Sequence, residues 1–210
     1  PAPPGRTGAR LGLIDMSEAR QWNGPAASDE GGLTIVLSVE DEAWNGAGLG
    51  DLETFLAETL KTAAAHAGFE DGLSTEVSVT LTSDEDVREI NREWRDKDRP
   101  TNVLSFPMMD LEPGERPGPL LGDLVLAFET CAREASSEGK SFADHFRHLL
   151  VHGFLHCLGH DHVEDEDAEA MEALEVRILS AFSIADPYRE DGSPGSEETP
   201  GLEVRDDVSD

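Results

Sequence analysis

Histidine is the residue type with the most chemical content in this sequence. Six of the seven histidines lie between residues 145 and 162, in the segment HFRHLLVHGFLHCLGHDH. His152 and His156 are four residues apart, so on a helix they share a face and lie about 6 Å apart along its axis. Gly159 then predicts a left-handed turn that brings His162 back towards the same point. This arrangement predicts a three-histidine metal site holding one zinc ion per chain.

The residue after His152 limits what such a metal could do. Zinc proteases carry His-Glu-x-x-His, in which the glutamate is the general base, but here that position holds Gly153. Three histidines still leave a coordination position for water, whose pKa the metal lowers towards about 7. Hydrolysis is therefore the expected chemistry, and a phosphodiester, which needs less of a dedicated base, is favoured over a peptide. Nickel, iron and manganese accept the same ligands, so zinc is predicted only because the geometry suits it and because it is the usual metal at such sites.

The other residues of the cluster are not expected to be ligands. His148 and His145 lie one and two turns further back along the helix, away from the metal, which favours structural or surface roles. His160 is most simply an exposed turn residue, with support of a metal ligand or contact with the substrate as the alternatives. Cys157 lies about 100° round the helix from His156, so we expect a small buried apolar residue there.

A group of cations precedes the histidines in the chain. Five of the sixteen basic residues fall within twelve positions: Arg88, Arg92, Arg95, Lys97 and Arg99. Four acidic residues lie among them, so composition alone favours an exposed helix with ion pairs. The turn-forming sequence Pro100-Thr101-Asn102 would instead place Arg95 and Lys97 in a loop beside a strand end, where functional residues are common. Both interpretations stay open at this point.

The overall composition excludes several classes of protein. The 210 residues carry 16 basic and 45 acidic side chains, a net charge of −29. The field of such a chain repels phosphate, which excludes a general electrostatic binder of DNA or RNA. No apolar run approaches the roughly 18 residues of a membrane-spanning helix, and the first residues lack the apolar core of a secretory signal. Cys131 and Cys157 are too few for a disulfide framework, which favours a reducing cytoplasm.

Strand and helix signals alternate along the middle of the chain. β-Branched or alternating apolar residues predict strands at 34–39, 77–81, 102–106 and 123–128. Apolar residues at helical spacing predict helices at 49–67, 83–94, 129–137, 142–158 and 165–182. Strands and helices interleave early and helices cluster late, which favours one α+β or α/β domain of about 150 residues.

The two ends of the chain differ from the middle in composition. Residues 1–32 show no persistent period of apolar residues and are predicted to be a flexible leader. Within this leader, Met16 is a candidate start of the natural chain. Residues 33–182 form the predicted folded domain. Residues 183–210 are predicted to be a disordered acidic tail. From Asp186 onwards this segment has nine acidic and two basic residues, and its few apolar side chains cannot offset the entropy cost of ordering.

Three segments together resemble a known family. NREWRDKDRPTNVLSFP (91–107), LGDLVLA (121–127) and HLLVHGFLHCLGHDH (148–162) are similar, in this order and spacing, to the YbeY family of single-strand-specific endoribonucleases. The resemblance covers about residues 34–182. It implies an α+β fold in which a small mixed β-sheet packs with helices, one of them a metal-bearing helix like that of zinc proteases.

The resemblance also implies roles for individual residues. The zinc ligands of the family, which serve catalysis, match His152, His156 and His162. The functionally important arginine of the family's Tyr-Arg-x-Lys-Asp stretch matches Arg95, with Trp94 here in place of the usual tyrosine. We expect Arg95 to bind the scissile phosphate and to stabilise its transition-state charge. Asp161 matches the acidic residue before the last ligand and is expected to support that ligand.

The function implied by the resemblance concerns ribosomal RNA. The expected activity is metal-dependent cleavage of single-stranded RNA in 16S rRNA 3′-end maturation and ribosome quality control, in the cytoplasm. The expected partners are rRNA and the ribosome or a small-subunit ribosomal protein, with no DNA and no membrane. The net charge predicts weak affinity for naked RNA, through the metal face and the Arg95 loop alone.

Two other functions stay open from the sequence. One is a zinc hydrolase of the peptidase type, against which the missing glutamate argues. The other is a non-catalytic ribosome assembly factor with a structural metal. The open coordination position argues against that second function, because structural zinc usually has four protein ligands.

Overall fold

The computed structural model describes residues 32–162 and 164–189 of the chain. Its strands are β1 (Thr34–Val39), β2 (Glu76–Thr82), β3 (Val103–Pro107) and β4 (Leu120–Ala127). Its α-helices are α1 (Leu52–His66), α2 (Asp84–Arg95), α3 (Phe128–Ser137), α4 (Phe142–Cys157) and α5 (Asp165–Ser180). Each lies where the sequence pattern predicted it, with ends shifted by up to three residues.

The strands form one mixed sheet in the order β1-β2-β4-β3. β1, β2 and β4 are parallel, whereas β3 runs antiparallel to β4 and forms one edge of the sheet. Residues 121–127 of β4 are all buried, which explains why this central strand is apolar almost throughout. The predicted α+β fold with a small mixed sheet is confirmed.

Helices cover both faces of the sheet. On one face, α1, α4 and α5 share a single apolar core with β2 and β4, while α2 packs on the other face against β3 and β4. At Gly153, α4 approaches the sheet closely: an added Cβ would lie 3.0 Å from Ser105 Oγ and 3.1 Å from Leu124 Cδ2. The helix that carries the histidine cluster therefore lies directly on the edge strand β3 and its neighbour.

The start of α2 shows how local sequence fixes these helices. Ser83 was predicted to begin this helix with Asp86 three residues later, and the Ser83 Oγ accepts a hydrogen bond from the Asp86 N–H at 3.3 Å. The helix ends at Arg95 because Asp96 takes a left-handed conformation with φ of 55°. This turn directs the following loop, residues 96–102, towards the start of β3.

One short element was not predicted. A 3₁₀ helix at Glu42–Gly46 buries Trp44, whose indole Nε1–H donates to the Thr82 carbonyl at 3.0 Å. Five residues are too few to show a helical period, and only the tertiary contact of the indole reveals the element.

The predicted leader and tail lie mostly outside the described residues. Of the predicted tail, residues 183–189 are described: Ile184 packs against the main core, and Tyr188 contacts α4 and α5. Residues 1–31 and 190–210 lie outside the described part, so the division into leader, domain and tail stays a prediction.

Candidate metal centre

The structure brings the three predicted ligands together. His152 and His156 project from one face of α4, and their Nε2 atoms lie 3.1 Å apart. Gly159, with φ of 88°, turns the chain after α4, and the His162 ring then stands 4.9 Å from the His156 ring and 5.6 Å from the His152 ring, centre to centre. One nitrogen from each of the three imidazoles lies within 4.8 Å of the other two.

Hydrogen bonds at the far side of two rings determine where their lone pairs point. The Nδ1 of His152 lies 2.9 Å from Glu175 Oε1, and the Nδ1 of His156 lies 3.0 Å from the His160 carbonyl oxygen. Both partners accept, so both Nδ1 atoms carry the proton and both Nε2 atoms present lone pairs. Two facing lone pairs do not form a hydrogen bond. They fit a shared cation, because two nitrogens on one tetrahedral zinc stand about 3.3 Å apart.

The protonation states suit cation binding. Burial, together with the imidazoles of His152 and His162, lowers the pKa of His156 to about 4, so this ring is neutral at pH 7. Burial raises the pKa of Glu175, but hydrogen bonds from His148, His152 and Tyr188 outweigh it and lower the pKa to about 2. The Glu175 carboxylate is therefore charged while fully buried. It fixes the His152 ring as carboxylates behind metal-binding histidines do.

A cleft of about 560 Å³ opens over the three imidazoles, and Arg95 lines it together with residues of β3 and of the loop before Leu111. Arg95 Nη2 donates to the Ser105 carbonyl at 3.0 Å, and the guanidinium lies over the Phe106 ring at 5.6 Å from its centre. Among the described residues Arg95 forms no ion pair with a carboxylate, and it is the one Lys or Arg side chain in the cleft wall. The predicted site residues thus share one cleft.

The structure separates the two interpretations of the basic segment. Arg88 forms a two-point ion pair with Asp98 of the following loop, with 2.7 Å between Nε and Oδ1. The expectation that Arg95 lies in a loop is wrong, because Arg95 is the last residue of α2; its side chain still reaches the cleft. The Asn91 side-chain amide donates to the Arg99 carbonyl at 2.7 Å and ties the loop to α2. The segment therefore combines an ion-paired arginine with one arginine that lines the cleft.

The neighbouring residues mostly follow the predictions. His145 is buried beside Glu134, at 3.0 Å, and Cys157 is fully buried, as expected for structural residues. His160 differs from the simpler expectation of an exposed turn residue: its side chain is half-buried and lines the cleft. Asp161 accepts a hydrogen bond from the His162 backbone N–H at 2.7 Å, so it supports the turn rather than an imidazole.

Two supporting groups were missed from the sequence. The His160 carbonyl could not be foreseen, because a backbone group has no sequence signal. Glu175 does carry one: it lies on the apolar face of α5 between Met171 and Ile178, where a carboxylate needs a buried partner.

Comparison with known proteins identifies the family of the chain. A family model described as Endoribonuclease YbeY matches residues 39–183. The chain belongs to the YbeY family. Endoribonuclease YbeY of Agrobacterium fabrum is 50% identical over 161 residues, covering 74% of this chain and 95% of that protein. Endoribonuclease YbeY of Rhizobium johnstonii is 47% identical, covering 74% of this chain and 93% of that protein.

One further relative and one solved structure were also matched. Endoribonuclease YbeY of Sinorhizobium fredii is 56% identical over 113 residues, covering 54% of this chain and 65% of that protein. A Thermotoga maritima protein known from its solution structure is 20% identical, with a TM-score of 0.46, and covers 75% of this chain and all of that chain.

YbeY membership confirms the predicted family and the prediction of an enzyme of the endoribonuclease class. Within residues 32–162 and 164–189, no helix is both long and apolar enough to cross a membrane. In the same part of the chain, the three histidines form the only group with metal-binding spacing, and no acidic residue or cysteine joins them as a fourth ligand. A metal held there would keep an open position facing the cleft.

Proposed function

We propose that this YbeY protein is a metal-dependent endoribonuclease that cleaves single-stranded RNA, with His152, His156 and His162 holding one zinc ion. The observation that carries the proposal is the convergence of three imidazoles and the Arg95 guanidinium in one cleft. Zinc bound there would polarise a phosphoryl oxygen and lower the pKa of a coordinated water. The donor set supports this choice, because three imidazoles suit zinc and hydrogen bonds orient the Nε2 atoms of His152 and His156 towards each other.

The protein's own contribution is to hold the substrate phosphate. Arg95 uses one N–H on the Ser105 carbonyl, which fixes the guanidinium while its other N–H groups remain for a phosphate. Because that hydrogen bond is to the backbone of the edge strand β3, the position of the guanidinium does not depend on a flexible side chain. Arg95 would bind the scissile phosphate and stabilise the charge that develops in the transition state.

The substrate assignment rests on the family. The relatives are named endoribonucleases, which supports RNA as the substrate class. We extend this to 16S rRNA 3′-end maturation and ribosome quality control in the cytoplasm, with the ribosome or a small-subunit ribosomal protein as partner. The net charge of −29 supports a need for such a partner, since the chain as a whole repels naked RNA. The preference for RNA over DNA rests on the endoribonuclease names of the relatives.

The position of Gly153 argues against a peptidase. It takes the place of the glutamate in zinc proteases, and here it packs against Ser105 and Leu124 beneath the helix. Glycine supplies no general base, and the tight contacts around an added Cβ leave little room for a glutamate side chain at this position.

The test is cleavage of a labelled single-stranded RNA by purified protein with zinc or with a chelator. We expect cleavage to be lost on chelation and in His156→Ala, and to fall about 100-fold in Arg95→Ala. Arg88→Ala is the matched control, because it removes an arginine seven positions away that pairs with Asp98 outside the cleft. Zinc binding without cleavage by the wild-type protein would favour an assembly factor instead.

A further inference from the structure

Glu175 is the most heavily bonded buried group outside the three histidines. Its carboxylate is completely buried on α5 and has three partners. Oε1 accepts from His152 Nδ1 at 2.9 Å. Oε2 accepts from His148 Nε2 at 2.8 Å and from the Tyr188 hydroxyl. One oxygen therefore faces a candidate metal ligand, while the other is held by two residues that are not ligands.

The chain after α5 is shaped so that Tyr188 reaches this carboxylate. Ser183 takes a left-handed conformation with φ of 60°, and the Ile184 N–H donates back to the Leu179 carbonyl at 3.1 Å. Asp186 Oδ1 then accepts from the Tyr188 N–H at 2.9 Å, which forms a tight turn around Pro187. The Tyr188 ring lies edge-on to the His148 ring, 5.6 Å between centres. Two turns thus bring this side chain back onto α4 and α5.

The hydrogen-bond directions follow from the acceptor. A carboxylate has no proton to give, so His148 Nε2 and the Tyr188 hydroxyl both donate to Oε2. The His148 Nδ1 is buried without a partner, which fits the tautomer that carries its proton on Nε2. With Oε2 fixed by two donors, rotation of the carboxylate is blocked and Oε1 stays directed at His152.

We propose that Tyr188 and His148 are positioning residues for the candidate metal centre. By holding Glu175 Oε2, they keep Glu175 Oε1 against His152 Nδ1. This contact fixes the orientation of the His152 ring and the tautomer in which Nε2 carries no proton. This inference rests on the proposed metal-binding role of the three histidines. It extends the site from the ligands through one buried carboxylate to the segment after α5. Neither residue touches the metal or the RNA, so the effect of each should pass through Glu175.

The first experiment measures zinc affinity by competition with a chromophoric chelator. Glu175→Gln should weaken zinc binding about 10- to 100-fold, as removal of a group behind a metal ligand does. Tyr188→Phe removes only the hydroxyl and should weaken zinc binding about 3- to 10-fold. The loss is smaller because His148 still holds Glu175 Oε2. In the Glu175→Gln background, Tyr188→Phe should cause no further loss, because the group through which it acts is already altered.

A matched control separates positioning from general stability. Thr59→Val also removes one hydroxyl that donates to an acceptor within the fold, the Phe55 carbonyl at 2.7 Å, but on α1 away from the histidines. It should lower the unfolding midpoint and leave zinc affinity unchanged. Wild-type zinc affinity in Tyr188→Phe would overturn the proposal, as would an equal loss from Tyr188→Phe with and without Glu175→Gln.

A second measurement needs no metal. Long-range ¹H–¹⁵N spectra of the imidazoles in the metal-free protein report which nitrogen of each ring carries the proton. We expect His152 in the Nδ1–H form in the wild type and a mixture of tautomers in Tyr188→Phe. If the wild-type protein binds no zinc, the proposed function fails, while these spectra still decide the positioning role. An unchanged His152 tautomer in Tyr188→Phe counts against it.

Discussion

Gly159 offers the sharpest test of how the third ligand is placed. It follows α4 and precedes His162 by three residues, with φ of 88°. An added Cβ would lie 2.1 Å from the Leu111 carbonyl oxygen and 2.6 Å from its carbonyl carbon. Both are backbone atoms of the loop between β3 and β4, so no side-chain rotation can relieve the contact. Gly159→Ala therefore forces either this turn or that loop to move.

The size of the effect follows from two contributions. A left-handed conformation costs an alanine about 1–2 kcal/mol relative to glycine. Overpacking adds about 1–3 kcal/mol, so the free energy of unfolding should fall by about 2–5 kcal/mol. To lengthen the 2.1 Å contact to the 3.0 Å that real side chains tolerate, the turn and the Leu111 loop must separate by about 0.9 Å, and we expect the turn to take up at least a third of this shift. Metal ligands tolerate only about 0.2 Å, so zinc affinity should fall at least about tenfold.

Gly139→Ala is the matched control. Gly139 follows α3 with φ of 65°, but an added Cβ meets nothing within 4 Å. In Gly139→Ala the free energy of unfolding should fall by only about 1–2 kcal/mol, the cost of the left-handed conformation, and zinc affinity should stay at the wild-type value. Urea denaturation and chelator competition on both variants give the comparison. If Gly159→Ala binds zinc as tightly as Gly139→Ala does, the claim that this close approach places His162 is wrong.

Three further predictions address protonation, RNA and thiol chemistry. Folding lowers the pKa of His156 from 6.5 to about 4 and the pKa of Glu175 from 4.5 to about 2. Between these values the unfolded chain binds more protons than the folded chain. The free energy of unfolding of the metal-free protein should therefore fall as the pH drops from about 6.5 to 2. Urea denaturation with EDTA should show this, and His156→Asn should flatten the part between pH 7 and 5. Trp94, 44% exposed beside Arg95, should stack on an unpaired base, so Trp94→Leu should weaken single-stranded RNA binding about tenfold by anisotropy. Val36→Ala, an equally exposed apolar residue on the opposite edge strand β1, should leave that affinity unchanged. Burial raises the pKa of Cys157 to about 12, so a thiol reagent such as DTNB at pH 7 should modify it only after unfolding.

The ligand geometry was predictable because it is local. Helical spacing places His152 and His156 on one face, and a glycine turn of a few residues returns His162, so no long-range information is needed. The strands and helices were predictable for the same reason, since their apolar periods match the faces they bury.

The groups that support the ligands were not predictable in this way. Glu175 contacts His152 from another helix, 23 residues further on, and Leu111 approaches Gly159 across the mouth of the cleft. Both contacts depend on how α5 and the loop before β4 pack on α4. A buried acid on an apolar helix face shows that some partner must exist, but only the packing identifies it.

The placement of charge explains how so acidic a chain can act on RNA. Among the described residues, the cleft wall carries Asp110 and Asp161 against a single guanidinium, that of Arg95. These carboxylates outnumber the one guanidinium, and the His156 imidazole, whose pKa burial lowers to about 4, adds no charge at pH 7. A divalent cation on the three imidazoles, as proposed above, would reverse this balance where the substrate phosphate is proposed to bind. Attraction of the substrate and activation of the reaction would then depend on the same ion, and RNA binding would be limited to the loaded site while the remaining surface repels nucleic acid.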